Sequence, residues 1–410
     1  MDKPHGASAS KPKALFLSPE APYPLIGGGP LRSASLLEYL SRRYSVHTIV
    51  FRQPGDPDPA IALPAGKIDR LDVVDLPFHA RHTLARTLRN SSRLVRGMPP
   101  LMDRFAGFAE RIGAIVASQR YETSVIEHFW CAPYLEQVRP NAKQVILDLH
   151  NIESTWHRSV AAASDPTRAW ALRRFATASV ALERKWLPRF DSILVTSASD
   201  AALVREVVPN ASVTVYPNSL PEIAAPQRRE NEEIVFSGNL EYAPNVDAIR
   251  YFAGRIWPSL RERWPNLRWR IVGKNPVAVE KLVHGDSRIV LTGFVEDAVA
   301  ALAQARVAVV PVLSGSGTRI KILEAWAAGT PVVSTTFGAQ GLDAAQDVHL
   351  VLADQPDRFA EAVSALLASE PDRTRIGAAG RRLYETRYTW PVVWRSLDEL
   401  FRNPPFRENA

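Results

Sequence analysis

The sequence has a single cysteine, Cys131, in 410 residues. One cysteine cannot form an internal disulfide or a cysteine-based metal site, so a disulfide-rich secreted domain is excluded and a reducing compartment is expected. No apolar run approaches the roughly 20 residues that span a membrane, and the first residues, Met-Asp-Lys-Pro-His-Gly, lack the apolar stretch of a signal peptide. We therefore expect a cytoplasmic location, with the inner face of the membrane as an alternative.

The composition is that of a folded protein. Hydrophobic residues make up 46% of the chain and charged residues 23%, enough to form packed cores, and the length favours two domains. Lys and Arg number 50 against 43 Asp and Glu, and the net charge of +7 suits anionic ligands or an anionic membrane face. We expect no nucleic-acid partner, because no predicted strand carries an aromatic and basic stripe.

Short β-branched runs alternate with helical patterns in both halves of the chain. This alternation is typical of βαβ units and predicts an α/β fold with two doubly wound, Rossmann-like domains. The predicted strands are 14–17, 46–51, 123–126, 145–149 and 193–196 in the first half, and 234–237, 269–272, 289–292, 307–311 and 331–334 in the second.

The predicted organisation follows from one break in this pattern. The polar stretch 223–233 has two prolines nearby and no periodicity, as expected of a linker. It separates an N-terminal domain at 1–222, with disorder at 1–12, from a second domain at 234–385 and a terminal helix within 386–410 that crosses back to the first. Disorder is also expected after residue 403. Since ligands of parallel sheets bind outside the carboxyl ends of the strands, we expect the site in the cleft between the domains.

The most informative motif is a glycine-rich loop followed by a helix and a buried strand. Its sequence is Gly315-Ser-Gly-Thr-Arg-Ile-Lys-Ile-Leu-Glu-Ala-Trp-Ala-Ala-Gly-Thr-Pro-Val-Val-Ser334. Such a loop can bind a phosphate, because the helix offers free N–H groups and the positive end of its dipole. Lys321 and Glu324 share one helix face, so the lysine could bind a diphosphate and the carboxylate a ribose. A surface ion pair with a cap at Gly329 explains the same spacing equally well.

Together with other elements, this loop resembles the donor-site signature of GT-B retaining glycosyltransferases of family 4, also called group 1. Gly338-Ala-Gln-Gly-Leu342 continues the signature. Further elements resemble those of the same family in the same order: Asp148-Leu-His-Asn-Ile-Glu153, Val215-Tyr-Pro-Asn218, Phe236-Ser-Gly-Asn-Leu240, Ile271-Val-Gly-Lys274 and Leu291-Thr-Gly-Phe-Val295. The resemblance implies the GT-B fold, with an acceptor-binding first domain and a donor-binding second domain.

The resemblance also implies roles for individual residues. Glu324 would bind the ribose hydroxyls, Arg319 and Lys321 the diphosphate, and His150 would face the donor sugar. These four are the predicted catalytic residues. The predicted donor-binding residues are Gly28, Gly29, Gly238, Asn239, Val272, Gly273, Lys274, Phe294, Val295, Gly315, Ser316, Gly317 and Thr318.

The chain departs from the family pattern at three positions. Ser316 stands where many members have a glutamate, while Asn239 and Asn245 stand where many have an arginine and a lysine. We therefore expect the positive charge beside the diphosphate to come from Arg319 and Lys321. The missing glutamate leaves the identity of the sugar open.

Three features of the first domain point to the same cleft. The glycines at 27–29 follow the first strand. A tight turn is one explanation for them, but the family context favours a loop that binds the donor phosphates. Their spacing is not that of a dinucleotide-binding motif. His150 ends a strand, where the alternative is a structural histidine before a helix capped by Asn151. Trp130 and His128 end the preceding strand and are predicted acceptor contacts, with core packing as the alternative.

Residues 81–111 form a basic segment that also carries leucines and methionines. Seven arginines stand against Asp103 and Glu110. Such a segment is typical of a membrane-surface element or an anionic acceptor site, although many charged runs are only solvated faces.

The predicted function is transfer of a hexose from a nucleotide diphosphate sugar to a hydroxyl of a glycan or lipid-linked acceptor, with retention at the anomeric carbon. Fixed cations and backbone N–H groups can stabilise the departing diphosphate, so we expect no metal and no cofactor. The rival functions are a sugar-nucleotide epimerase of the same fold and a nucleotide-sugar binding protein that has lost catalysis. The base, sugar, linkage, acceptor and oligomeric state are not predicted.

Overall fold

The computed structural model describes residues 11–80, 82–162, 164–315 and 320–402. The expected disorder at 1–12 and after 403 falls outside these ranges, apart from Lys11 and Pro12, which are exposed and precede the first strand.

Parallel strands form the frame of the first half of the chain. They are β1 Lys13–Ser18, β2 Ser45–Arg52, β3 Arg70–Asp75, β4 Tyr121–Glu127, β5 Ala142–Asp148, β6 Ser192–Val195 and β7 Val213–Val215. The sheet order is β3-β2-β1-β4-β5-β6-β7, and in the centre Phe16 pairs with Thr48 on one side and Val125 on the other.

Nine α-helices connect the described strands of this sheet. They are α1 Gly28–Arg43, α2 Pro59–Ala62, α3 Thr83–Arg96, α4 Pro100–Phe105, α5 Ala109–Val116, α6 Leu135–Val138, α7 Glu153–Ala162, α8 Pro166–Trp186 and α9 Ala198–Val207. Short 3₁₀ turns lie at Phe129–Tyr134, Arg139–Asn141 and Leu187–Arg189.

A second parallel sheet follows. Its strands are β8 Asn231–Ser237, β9 Arg268–Val272, β10 Ile289–Gly293, β11 Ala305–Val310, β12 Val332–Ser334 and β13 Val351–Leu352, in the order β10-β9-β8-β11-β12-β13. Its helices are α10 Ala243–Tyr251, α11 Trp257–Arg263, α12 Val277–Val283, α13 Ala298–Leu302, α14 Ile320–Ala327, α15 Pro356–Ala368 and α16 Glu370–Arg387, with a π-helical turn at Phe252–Ile256.

The first sheet is buried on both faces, as its uninterrupted apolar strands require. Along β1, Leu15 and Leu17 belong to one hydrophobic core and Phe16 to another, because successive side chains point to opposite faces. The core that contains Phe16 continues into the core of the second sheet.

The last described helix, α17 Trp390–Arg402, packs on α1 of the first sheet. Trp394 Nε1 donates to the carbonyl of Ser35 at 3.1 Å, and Asp398 accepts from Tyr39 at 3.0 Å and from Arg43 at 2.6 Å. The chain therefore crosses between the two halves twice. Leu220, on the first crossing, exchanges backbone hydrogen bonds with Tyr388 and Trp390 on the second.

The structure differs from the sequence-based predictions at several element ends. Asn231–Glu233, predicted as linker, begin β8, since the Glu233 carboxylate pairs with Arg270 of the adjacent strand at 3.1 Å. Strands β3, β7 and β13 were not predicted. The terminal helix, in contrast, lies at Trp390–Arg402, inside the predicted segment 386–410, and α16 ends before it at Arg387.

Candidate active site

A cleft separates the carboxyl ends of the two sheets. It holds a cavity of about 570 Å³ lined from both halves of the chain, and a smaller cavity of about 130 Å³ adjoins it on the side of the second sheet. Gly27, Lys274 and Glu324 line both.

Most of the predicted site residues meet at these cavities. The larger one is lined by Gly28, Gly29, His128, Trp130, His150, Gly238, Asn239, Lys274, Lys321 and Glu324, and the smaller one also by Val272, Gly273, Phe294 and Val295. Gly315 lies at the cleft, where its N–H donates to Ser159 Oγ of α7 at 2.9 Å. Ser316, Gly317, Thr318 and Arg319 lie outside the described residues.

Glu324 lies on α14, the helix that follows the glycine-rich loop in the sequence. Its Oε2 accepts a hydrogen bond from Ser237 Oγ, at the end of β8, at 3.2 Å. Burial raises the pKa of Glu324 to about 7, although Ser237 and the nearby Lys321 ammonium oppose this shift. A raised pKa in a cleft is typical of a functional carboxyl group. In its ionised form, this carboxylate can accept hydrogen bonds from ligand hydroxyls.

Lys321 lies one turn before Glu324 and reaches the same cavity. Its Nζ donates to Asn245 Oδ1 at 2.7 Å and lies 4.0 Å from the centroid of the Phe236 ring. These two contacts hold the ammonium at the carboxyl end of β8, beside the turn of Gly238. Asn245, which takes the place of the family lysine, thus positions a lysine from another helix.

Two glycine turns interlock at the edge of the second sheet. Gly238 and Gly273 have φ values of +149° and +156°, and a Cβ on Gly273 would lie 1.8 Å from the Gly238 carbonyl oxygen. A Cβ on Gly238 would lie 2.8 Å from the Asn245 amide nitrogen and 3.1 Å from Lys321 Nζ. Only glycine fits at both positions, and the close approach leaves room for a ligand beside the backbone.

The glycines of the first half open α1, a helix of 16 residues whose N-terminus faces the cleft. A Cβ on Gly29 would lie 2.2 Å from Glu20 Oε1, so this glycine makes room for a carboxylate. Glu20 was not predicted. Burial raises its pKa, opposed by His150 and reinforced by Glu127.

The predicted acceptor residues form an aromatic stack. The ring centroids of His128 and Trp130 are 4.2 Å apart and nearly parallel, and the Trp130 ring is parallel to that of Phe105 at 5.8 Å. Trp130 Nε1 donates to Glu153 at 2.7 Å. The indole face against His128 is therefore not open to a sugar, which limits the stacking role predicted for Trp130.

Sequence reasoning missed a buried ion-pair network beside this stack. Arg32 of α1 pairs with Asp148 of β5 at 2.5 Å and also donates to the Tyr216 carbonyl. The ligand atoms of Glu127, Asp148 and His150 lie within 4.8 Å of one another, close enough for a metal ion. The Arg32 guanidinium would repel a cation, so we assign these side chains as ion pairs and not as metal ligands. In the sequence, the only indication that Arg32 lies at the site is its position shortly after the three glycines.

Most of the described arginines in the basic segment contact other groups of the protein, unlike the solvated face that was the alternative interpretation. Arg93 and Arg96 pair with Asp103, while Arg89, Arg104 and Arg111 donate to backbone carbonyls. On α3, Arg93 is buried while Arg86 and Arg96 are exposed. Leu84, Leu88 and Val95 of the same helix are 68%, 63% and 89% exposed. Arg81 lies outside the described residues.

Solved structures show the same architecture over nearly the whole chain. Sucrose-phosphate synthase from Thermosynechococcus elongatus superposes with a TM-score of 0.72 at 19% identity, covering 96% of this chain and 98% of that one. HepE of Anabaena, in complex with UDP and glucose, superposes with a TM-score of 0.63 at 13% identity, covering 96% and 100%. These similarities confirm the GT-B fold.

The sequence itself matches a family in the second half. Residues 231–369 match the family described as Glycosyl transferases group 1. This segment of the chain is therefore similar to that family. The chain is also 34% identical over 142 residues to a phosphatidyl-myo-inositol mannosyltransferase of Mycobacterium leprae, a match that covers 33% of this chain and 38% of that protein.

A second relative is an exopolysaccharide phosphotransferase of Streptomyces coelicolor. It is 26% identical over 228 residues, covering 52% of this chain and 23% of that protein. The chain therefore spans less than two fifths of the length of the two curated relatives. No helix among its described residues has both the length and the apolar character to cross a membrane.

Proposed function

We propose that this protein transfers a hexosyl group from a nucleotide diphosphate sugar to a hydroxyl acceptor, with retention at the anomeric carbon. The observation that carries the proposal is the pairing of Glu324 and Lys321 on one helix, both lining the cleft between the carboxyl ends of two Rossmann-like sheets. The carboxylate suits two ribose hydroxyls and the ammonium suits a diphosphate. The interlocked glycine turns beside them leave space for the nucleotide.

The departing nucleoside diphosphate gains negative charge in the transition state, and this chain can stabilise that charge with its own groups. Lys321 is held at the turn of Gly238 by Asn245 and Phe236. Arg319 and the N–H groups of the glycine-rich loop would add to it. We therefore propose a reaction that requires no metal and no cofactor.

The first domain would bind the acceptor. His150 and His128 line its wall of the cleft, and Leu101 of α4 contributes an apolar patch. The exposed leucines of α3 lie on the helix that precedes α4. We propose that this face contacts an anionic membrane, at the cytoplasmic side, from which a lipid-linked acceptor could reach the cleft.

Thermal unfolding in the presence of UDP- and GDP-sugars tests donor binding, because a ligand that binds the native state raises the melting temperature. Product analysis with and without a glycan acceptor then tests transfer. Activity should persist in EDTA. Donor conversion without acceptor would favour an epimerase, and binding without any turnover would favour a binding protein.

A further inference from the structure

At the carboxyl ends of β4 and β5, one imidazole faces two buried carboxylates. His150 Nε2 lies 3.4 Å from Asp148 Oδ2 and 3.8 Å from Glu127 Oε1. Both carboxyl side chains are 0% exposed, and the imidazole is 9% exposed where it lines the cleft. The proposed function gives no role to Glu127.

Arg32 balances the charge of only one of these carboxylates. Its guanidinium lies against Asp148. Among the described residues, the hydrogen-bond partners of Glu127 are two hydroxyl groups, Ser18 and Ser33, which both contact Oε2. A buried carboxylate without a counter-charge is strongly unfavourable, so one more proton is expected in the cluster.

The surrounding charges favour His150 as the site of that proton. The Ser18 and Ser33 hydroxyls at Oε2 can donate or accept, so they leave the proton of Glu127 undecided. The two carboxylate oxygens lie 3.4 Å and 3.8 Å from His150 Nε2, and two negative charges at these distances stabilise a protonated imidazole. Burial of the ring lowers the pKa of His150, but Asp148 and Glu127 outweigh it and raise the pKa to about 9.

The neighbouring ring fixes the orientation of this imidazole. The centroids of His128 and His150 are 3.6 Å apart, and His128 is buried. Burial, followed by the charges of His150 and Arg32, holds the pKa of His128 well below its usual range, so a neutral ring stacks on a charged one. Glu20, from the loop after β1, is a further charged group that interacts with His150.

We propose that Glu127 is a positioning residue that, together with Asp148, holds His150 as an imidazolium in the wall of the cleft. Because Nε2 lies within ion-pair distance of both carboxylates, the other ring N–H of the imidazolium would donate to an oxygen of the bound substrate. The identity of that substrate rests on the proposed function, but the protonation state of His150 is a property of the free protein.

The experiment is an NMR titration of the histidine side chains in the full-length, ligand-free protein, with His150 assigned by comparison with His150→Gln. We expect His150 to titrate near pH 9. In Glu127→Gln the midpoint should fall by about one unit or more, as expected when an opposite charge within 4–6 Å is removed. If Glu127 carried the proton, the same isosteric substitution would leave the midpoint unchanged.

Glu153→Gln is the matched control. It removes another buried carboxyl group of the same wall, one that contacts Trp130 and not His150, so the His150 midpoint should stay in place. The wild-type titration tests the charge state without any variant: a midpoint at or below the ordinary pH of about 6.5 overturns the proposal.

The pH dependence of kcat/KM provides the functional readout. Activity should fall above about pH 9 in the wild type, and in Glu127→Gln this fall should begin at lower pH by the same amount as the NMR midpoint. If Glu127→Gln lowered kcat/KM equally at every pH, the role of Glu127 would be merely structural. Failure to bind any nucleotide sugar would reject the proposed function and leave the titration result standing.

Discussion

Glu324 combines a ligand-binding position with an unfavourable ionisation. Its pKa is raised to about 7, so the folded protein keeps a proton that the unfolded chain has already lost at that pH. Stability should therefore fall as pH rises through the range from 4.5 to 7. We expect Glu324→Gln to be more stable than the wild type at pH 8, because glutamine has no charge to bury. The expected gain in the free energy of unfolding is about 1 to 3 kcal/mol, and contact of the side chain with the solvent in the cleft limits it.

The same variant should bind the donor at least about tenfold more weakly, because it loses hydrogen bonds to a charged acceptor. Denaturant unfolding at pH 5.5 and pH 8, together with calorimetric titration of the nucleotide sugar, checks both effects. Donor affinity that is equal in the two proteins would reject the ribose assignment.

Lys321 should act mainly on the rate. Because the leaving diphosphate gains charge in the transition state, Lys321→Met is expected to lower kcat by more than it weakens donor binding. Lys281→Met, on α12 and away from both cavities, is the matched control and should change neither. Steady-state kinetics and donor titration separate the two quantities. Equal losses in both would mean that the lysine only anchors the donor.

At the residue scale, the sequence predicted the cleft residues of the second sheet better than those of the first. Glu324, Lys321 and the glycine turns lie in short motifs whose chemistry is local. Arg32 and Asp148, in contrast, are 116 positions apart and meet only after α1 packs on β5. The spacing of residues in the sequence cannot predict such a pair. The role proposed for Glu127 depends on this pair, because Arg32 balances the charge of Asp148 alone.

Among the elements, α3 exposes apolar side chains as well as arginines. Arg93 is buried against Asp103, while Leu84, Leu88 and Val95 point to solvent. Replacing these three apolar residues with serine should abolish sedimentation with anionic vesicles, because the apolar contact and the flanking arginines act together. Binding of the wild type should weaken as salt rises.

Val277→Ser, an exposed apolar position on α12, is the control for that experiment. The triple variant and the control should have the same thermal stability. Equal recovery of the wild type with neutral and anionic vesicles at low salt would show that α3 does not contact an anionic membrane, and a soluble glycan would then be the favoured acceptor.

The strands that were predicted correctly include the central ones of both sheets. In β1, β8 and β11, apolar residues follow one another because both faces of the sheet are covered. The missed strands lie away from the centre of their sheets. In β3, only Val74 is buried and charged residues occupy both ends, while β13 has two residues. Such half-exposed strands lack the apolar pattern on which a prediction depends.

For the whole molecule, α17 connects the two halves by packing on α1. Trp394 is buried, donates to Ser35, and lies 4.0 Å from the Arg42 guanidinium. We expect Trp394→Ala to destabilise the protein by about 3 to 5 kcal/mol, as other large-to-small core substitutions do. Denaturant unfolding measures the loss, and hydrogen exchange should show faster opening of α1.

Trp170→Ala removes an exposed tryptophan from α8 and serves as the control. It should change the free energy of unfolding by little. Similar losses in the two variants would show that α17 contributes no specific contact to the first half. The interdomain cleft was predictable because two parallel sheets in tandem present their carboxyl ends to each other, but the contacts of α17 come from tertiary packing and could not be assigned residue by residue.

The packing of α17 on α1 also has a consequence for how the protein is made. Helix α1 leaves the ribosome early, whereas its partner Trp394 follows only after every strand of the second sheet. Because synthesis proceeds at about 5 to 20 residues per second, the surface around Tyr39 and Ser35 stays uncovered for roughly ten seconds or more. During that interval the nascent first half presents an unpaired apolar surface, and a chaperone that covers such surfaces would have its binding site there until translation reaches α17.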